Sequence, residues 1–161
     1  MQINNMKKSE VQNLIKDLIE KTTVGIKEIL VEEKDPKNIW FSIEVDNPYF
    51  FTNHGGEALS ALNHIVRKIL EAKNPPENPE SFNVLIDING FQKKRIDNVR
   101  AVAHMMAERA RYFKSSIDVE PMSAFERRIV HEFLADALDL KTESVGEGPA
   151  RHIVIRYTGS L

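Results

Sequence analysis

Hydrophobic residues change their spacing repeatedly along this chain, and the order of those changes sets the architecture. Val11, Leu14, Ile15, Leu18 and Ile19 recur every three or four residues behind Ser9, a plausible N-cap, which predicts an amphipathic helix over 9–22. Two runs rich in β-branched and aromatic residues follow at 26–33 and 39–45, separated by Lys34-Asp35-Pro36-Lys37-Asn38, and read as a β-hairpin. Trp40, the only tryptophan, falls in its second strand and is expected in the core. After the short apolar turn Tyr49-Phe50-Phe51, helical spacing returns with Leu59, Leu62, Ile65, Val66, Ile69 and Leu70. That helix must stop before Pro75-Pro76, and a loop to Pro79 leads into a strand over 82–88. A helix over 93–113 is expected to bury Ile96, Val99, Val102, Ala103, Met106 and Ala110. A short strand over 117–120, a helix over 123–138, a glycine-containing stretch over 144–149 and a strand over 152–157 complete the chain. Helices and strands are mixed without the regular alternation of a parallel sheet, so the class is α+β.

The 161 residues suffice for one ordinary domain or two small ones. No apolar stretch approaches the roughly 20 residues that span a bilayer. Residues 1–10 lack the basic-then-apolar pattern of a secretory signal, and with no cysteine anywhere the expected compartment is the cytoplasm. The net charge of −2 is unevenly spread. Residues 90–131 carry nine basic and five acidic side chains, whereas residues 1–89 carry ten and fourteen. Local patches govern nucleic-acid binding, so the total does not exclude it.

Two short constellations could carry chemistry. Asn53-His54-Gly55-Gly56 lies between an apolar turn and a long helix. Small residues there allow a tight turn, with Asn53 expected in the left-handed region, and the following helix aims free N–H groups at the site. The same residues serve equally as a plain loop and N-cap. In the second constellation Arg127 and His131 stand four apart within Pro121-Met122-Ser123-Ala124-Phe125-Glu126-Arg127-Arg128-Ile129-Val130-His131. On a helix both reach one ligand, a guanidinium forking onto a phosphate with an imidazole donating beside it. The five histidines show no metal-ligand spacing, and His64 and His104 read as partly buried or surface positions. Met105, Met106 and Phe125 read as core, and Asp87 as a cap before Asn89-Gly90. No phosphate loop, nucleophile elbow or paired carboxylates suggest an enzyme, and no cofactor or metal is expected.

The order helix, two strands, turn, loop, helix, strand resembles a type II KH domain, whose Gly-x-x-Gly loop clamps about four nucleotides of single strand. Gly56-Glu57-Ala58-Leu59-Ser60-Ala61-Leu62 is similar to that family's Gly-Glu-Thr-Leu-Asp-Ala-Leu, with Asn53 at the first glycine and His54-Gly55 where Arg or Lys is usual. Arg127 and His131, followed by Thr142-Glu143-Ser144-Val145-Gly146-Glu147-Gly148-Pro149-Ala150-Arg151, resemble the R-three-H domain, named for its Arg-x-x-x-His motif. Arg128, Ser144, Gly146 and Arg151 match neighbouring motif positions. Asp87-Ile88-Asn89-Gly90-Phe91 and Lys93-Lys94-Arg95 resemble the junction between the two modules in the Jag, or SpoIIIJ-associated, family of bacterial RNA-binding proteins. The resemblance implies a type II KH-like domain over 1–90 packed beside a small α/β R-three-H domain over 91–161, without the N-terminal Jag domain of many members. It implies single-stranded RNA as partner, with single-stranded DNA as an alternative. Asn53, His54, Gly55, Gly56, Lys93, Lys94, Arg95, Arg127, Arg128, His131, Ser144 and Arg151 would then be the nucleic-acid-binding residues. The family name also implies an alternative role as an adaptor for a membrane insertase or the cell-envelope machinery.

Overall fold

A computed structural model describes residues 2–35, 38–73 and 83–159. The expected loop around Pro75, Pro76 and Pro79, the start of a strand at Phe82, and Pro36-Lys37 of the hairpin loop lie outside the described residues. The chain divides into two compact units, Met1–Gln92 and Lys93–Leu161.

The first unit is built from α1 (Gln2–Glu20), β1 (Ile26–Asp35), β2 (Asn38–Val45), α2 (Tyr49–Thr52), α3 (Glu57–Lys73) and β3 (Asn83–Ile88). The helix α1 starts earlier than expected and places Ser9 inside it. Its strands form one sheet in the order β1-β2-β3, with β1 antiparallel and β3 parallel to β2. A parallel pair cannot be joined by a tight turn, and α2 and α3 supply the crossover. Alternation in β2 sends Ile39, Phe41, Ile43 and Val45 to one face, where they meet Val11, Ile15 and Ile19 of α1 and Leu59, Leu62 and Val66 of α3. Each such fully buried side chain contributes about 1.5–3 kcal/mol. Trp40 is buried as expected, but Ile65 is exposed, because the buried stripe of α3 passes through Leu62 and Val66 instead. The apolar run after Pro48 forms a short helix rather than a turn, pinned by buried Phe51. On the edge strand β3, the outward Ile86 N–H donates to Asn63 Oδ1 at 2.8 Å, and Asn63 Nδ2 donates to the carbonyls of Leu59 and Ile86, both at 3.0 Å. The side chain thus supplies the partner a missing strand would have given.

The second unit holds α4 (Phe91–Phe113, starting two residues before the division), β4 (Ser116–Asp118), α5 (Ala124–Phe133), β5 (Leu140–Val145) and β6 (His152–Tyr157). Asp87 caps the start of α4 by accepting from Gln92 N–H at 2.8 Å. The sheet is antiparallel in the order β4-β6-β5. Ala103, Ala107 and Ala110 give α4 a small-residue face on the core, against Val130, Leu134, Leu140, Ile153 and Ile155. Three expectations are corrected here. Val102 and Met105 are exposed, since the buried stripe of α4 follows the alanines. The helix α5 ends at Phe133 rather than Leu138, which is fully exposed. The strand β5 occupies a segment expected to be partly loop.

Candidate nucleic-acid interface

The helix α5 carries Arg127 and His131, and its start is held firmly. Ser123 and Glu126 form a capping box: Ser123 Oγ accepts from Glu126 N–H, and Glu126 Oε2 accepts from Ser123 N–H at 2.8 Å. Arg95 Nε donates to Glu126 Oε1 at 3.0 Å, so Arg95 supports α5 directly. Burial pushes the Glu126 carboxyl upward, but the bonds from Arg95 and Ser123 outweigh it and hold the group below its usual range. Ile129 and Val130 anchor the opposite side of the helix in the core.

From this base the side chains close a ring. Arg127 Nη1 donates to the Met122 carbonyl at 2.7 Å. Met122 N–H donates to the Arg151 carbonyl at 3.2 Å, and Arg151 Nε donates to Ser144 Oγ at 3.0 Å. Ser144 and Thr142 lie two apart on β5, where the burial alternation puts them on one face. Thr142 Oγ1 shares a 2.7 Å hydrogen bond with His131 Nδ1, and one helical turn returns to Arg127. The turn into Arg151 depends on Gly146, which has φ +88 and whose added Cβ would lie 3.1 Å from the Ala150 carbonyl oxygen. Among the described residues, Nε2 of His131, Nη2 of Arg127 and both terminal nitrogens of Arg151 take no hydrogen bond. The ring therefore fixes three nitrogen-bearing side chains and leaves the guanidinium donors of Arg127 and Arg151, with one imidazole nitrogen beside them, over for an anionic ligand.

The other expected site residues are placed differently. Arg128 is exposed and paired with Glu132 one turn on, at 2.8 Å. Lys93 and Lys94 are exposed on the first turn of α4. In the first unit the turn 53–56 is formed, but Asn53 is extended at φ −64 and His54 takes the left-handed conformation at φ +49. Asn53 instead folds its side chain back, Oδ1 accepting from His54 N–H at 2.8 Å, and Gly55 and Gly56 continue at φ +69 and +82. Gly56 has a further constraint, because a Cβ there would lie 2.6 Å from the Phe91 ring. Thr142, Met122 and Glu126 were not expected in the site. Thr142 stands two residues before Ser144, so an alternating strand at 140–145 was the signal that places both on one face.

The family model of the R-three-H domain matches residues 97–157. The second unit therefore contains an R-three-H domain. Its match contains the whole ring, from Met122 to Arg151. Over a longer span the chain is similar to proteins named RNA-binding protein KhpB. It is 28% identical over 142 residues to that of Bacillus subtilis, covering 86% of this chain and 65% of the relative. It is 28% identical over 100 residues to that of Clostridium symbiosum, covering 62% and 43%. To that of Streptococcus pneumoniae it is 24% identical over 145 residues, covering 90% and 41%. The chain thus spans at most about two thirds of the length of these relatives.

Proposed function

We propose that this protein binds single-stranded RNA, with single-stranded DNA as the alternative strand, and catalyses no reaction on it. The observation that carries the reading is the ring joining Arg127, His131, Thr142, Ser144 and Arg151, which leaves guanidinium and imidazole nitrogens for phosphate. The R-three-H domain around that ring and the RNA-binding names of the relatives support it. Residues 1–90 are read as a type II KH-like domain and 91–161 as the R-three-H part; the order α1-β1-β2-α2-α3-β3 with β2 parallel to β3 supports the first assignment. Such a role suits a cytoplasmic protein, and no helix among the described residues is long and apolar enough to cross a membrane.

The test is an anisotropy titration with a labelled single-stranded RNA of roughly 20 nucleotides at several salt concentrations, where each phosphate contact contributes about −0.7 to the log–log slope. Arg127→Ala should weaken binding about tenfold and flatten the slope by about 0.7. Lys73→Ala, at the exposed end of α3, should change neither. Equal effects at both positions would mean that diffuse charge holds the strand.

The second reading is an adaptor for a protein partner, such as a membrane insertase or the cell-envelope machinery. One observation favours it: Val102, Met105 and Tyr112 recur at helical spacing on α4 and are all exposed, Tyr112 by 83%. Undetectable RNA binding by the wild type would move the conclusion there.

A further inference from the structure

His152 opens β6 directly after Arg151, and the two side chains take opposite faces of the sheet. Arg151 bonds to Ser144, which pairs with Ile153 of the core, whereas His152 pairs with exposed Val145 on the other face. There the imidazole spans two acceptors. Its Nδ1 lies 3.0 Å from the Ala150 carbonyl oxygen, and its Nε2 lies 3.0 Å from Asp118 Oδ1. A carbonyl oxygen only accepts, and so does an ionised carboxylate. Neutral imidazole carries one N–H and satisfies one of them, while imidazolium carries two and satisfies both. The arrangement is complete only when His152 is charged.

These bonds reach the turn that presents Arg151. Ala150 ends the single helical turn Gly148–Ala150, and its carbonyl oxygen is the atom that a Cβ on Gly146 would meet at 3.1 Å. Asp118 ends β4, which lies on the side of β6 away from β5. His152 thus ties the 146–151 turn to the far strand of the sheet. Among the described residues, the charged group bonded to this imidazole is Asp118, whose side chain is 73% exposed. On the same face, Val145 is uncharged, Glu143 stands 3.5 Å from Arg156, and Lys141 pairs in register with Arg156. Glu147 on the turn and Glu120 beyond β4 are exposed carboxylates, and α5 packs on the opposite, core face. The Ala150 carbonyl first, and Asp118 second, hold the imidazole above its ordinary value of 6.5, with water screening the share of Asp118.

We infer that His152 is a positioning residue for the R-three-H ring: as an imidazolium it clamps the 146–151 turn and so sets Arg151 in place, which makes the grip on a phosphate backbone weaken as pH rises. The inference rests on the RNA-binding reading and deepens it, by adding a proton to what that site requires. Because the folded value is raised, the clamp is fully present below pH 6.5 and is lost as pH climbs through the folded value.

The test compares wild type with His152→Gln by anisotropy, using a single-stranded RNA of roughly 20 nucleotides at fixed salt. At about pH 6 the variant should bind about fivefold more weakly, the cost of ordering Arg151 anew, and at about pH 8.5 the two should bind alike. Contributions of His131 are common to both proteins and cancel in that ratio. In an Arg151→Ala background, His152→Gln should have no further effect, because His152 acts through Arg151. Proton–nitrogen spectra of the imidazole should show both ring nitrogens protonated at about pH 6. Asp118→Asn, which leaves His152 in place, should move the midpoint of that titration, and the pH at which RNA binding weakens, downward. Circular dichroism at each pH establishes that the variants are folded. A ratio that is the same at both pH values would mark a merely structural histidine and overturn the inference. An effect that persists in full without Arg151 would mark a direct contact, and a ring nitrogen found unprotonated at about pH 6 would remove the clamp; either overturns it. If the wild type binds no RNA at any pH or salt, the parent reading fails and this inference with it; if it binds and His152→Gln matches it throughout, only this inference fails.

Discussion

Replacing Glu126 by glutamine removes one charge from the start of α5 while keeping the shape of the side chain. The carboxylate accepts from Ser123 N–H, Ser123 Oγ and Arg95 Nε, at 2.8, 2.7 and 3.0 Å. Its side chain is 18% exposed and that of Arg95 27%, so the pair is only partly screened by water. Glutamine keeps one carbonyl acceptor and loses the charge assistance. A charge-assisted bond is worth about 1.5–3 kcal/mol, but Arg95 can turn outward when released, so the expected loss at neutral pH is about 1.5 kcal/mol. Trp40 lies in the first unit and does not report on α5, so amide hydrogen exchange within α5 is the suitable assay. Exchange corrected for intrinsic rate should be about tenfold faster in the variant at pH 7. The pH dependence fixes the cause. The folded carboxyl titrates below its ordinary value of 4.5, so its stabilisation is complete above that value and is lost as pH falls through the folded value. Wild type and variant should therefore differ fully above pH 4.5 and converge as the pH falls from there through the lower folded value. A difference that persists unchanged on acidification, or no difference at pH 7, would refute the role given to Glu126.

Four other substitutions test the backbone and the sheet edge. Gly56→Ala should destabilise by about 2 kcal/mol, because its φ of +82 disfavours a side chain and its Cβ would lie 2.6 Å from Phe91; Gly55→Ala, with no atom within 4 Å of its Cβ, should cost only about 1 kcal/mol, and Trp40-monitored melting should rank them so. Gly146→Ala should cost about 1–2 kcal/mol in urea unfolding followed by circular dichroism and weaken RNA binding as well, since the turn it strains presents Arg151. Asn63→Leu should lower stability by about 1–3 kcal/mol in urea unfolding followed at Trp40, by leaving the Ile86 N–H without its acceptor.

Elements with a dense one-sided apolar pattern were legible from sequence: α3, β2 and the body of α4 fall close to their expected positions. The end of α5 was not, because Leu134, Ala137 and Leu138 continue its helical spacing. In the structure Leu134 is buried but Leu138 lies in solvent, and only the tertiary core separates the two. The strand β5 alternates Lys141 and Glu143 with Thr142 and Ser144, too polar to read as a strand until β6 supplies its partner. The Arg127–His131 pair could be found, because helical spacing alone brings residues four apart together. Its support could not: Thr142, Met122 and Glu126 reach it through sheet register and turns. The left-handed residue of the 53–56 turn was misplaced by one, since asparagine tolerates positive φ but here uses its side chain to bond the His54 amide instead.

Because Arg127 is braced on the Met122 carbonyl and Arg151 on Ser144, a strand bound as proposed would meet cationic side chains whose rotamers are already chosen. Immobilising such a side chain at an interface costs roughly 0.5–1.5 kcal/mol, and here folding has already met that cost. Grip on the ligand then becomes a property of local rigidity. Warming that loosens the 146–151 turn should release the strand before the domain itself melts.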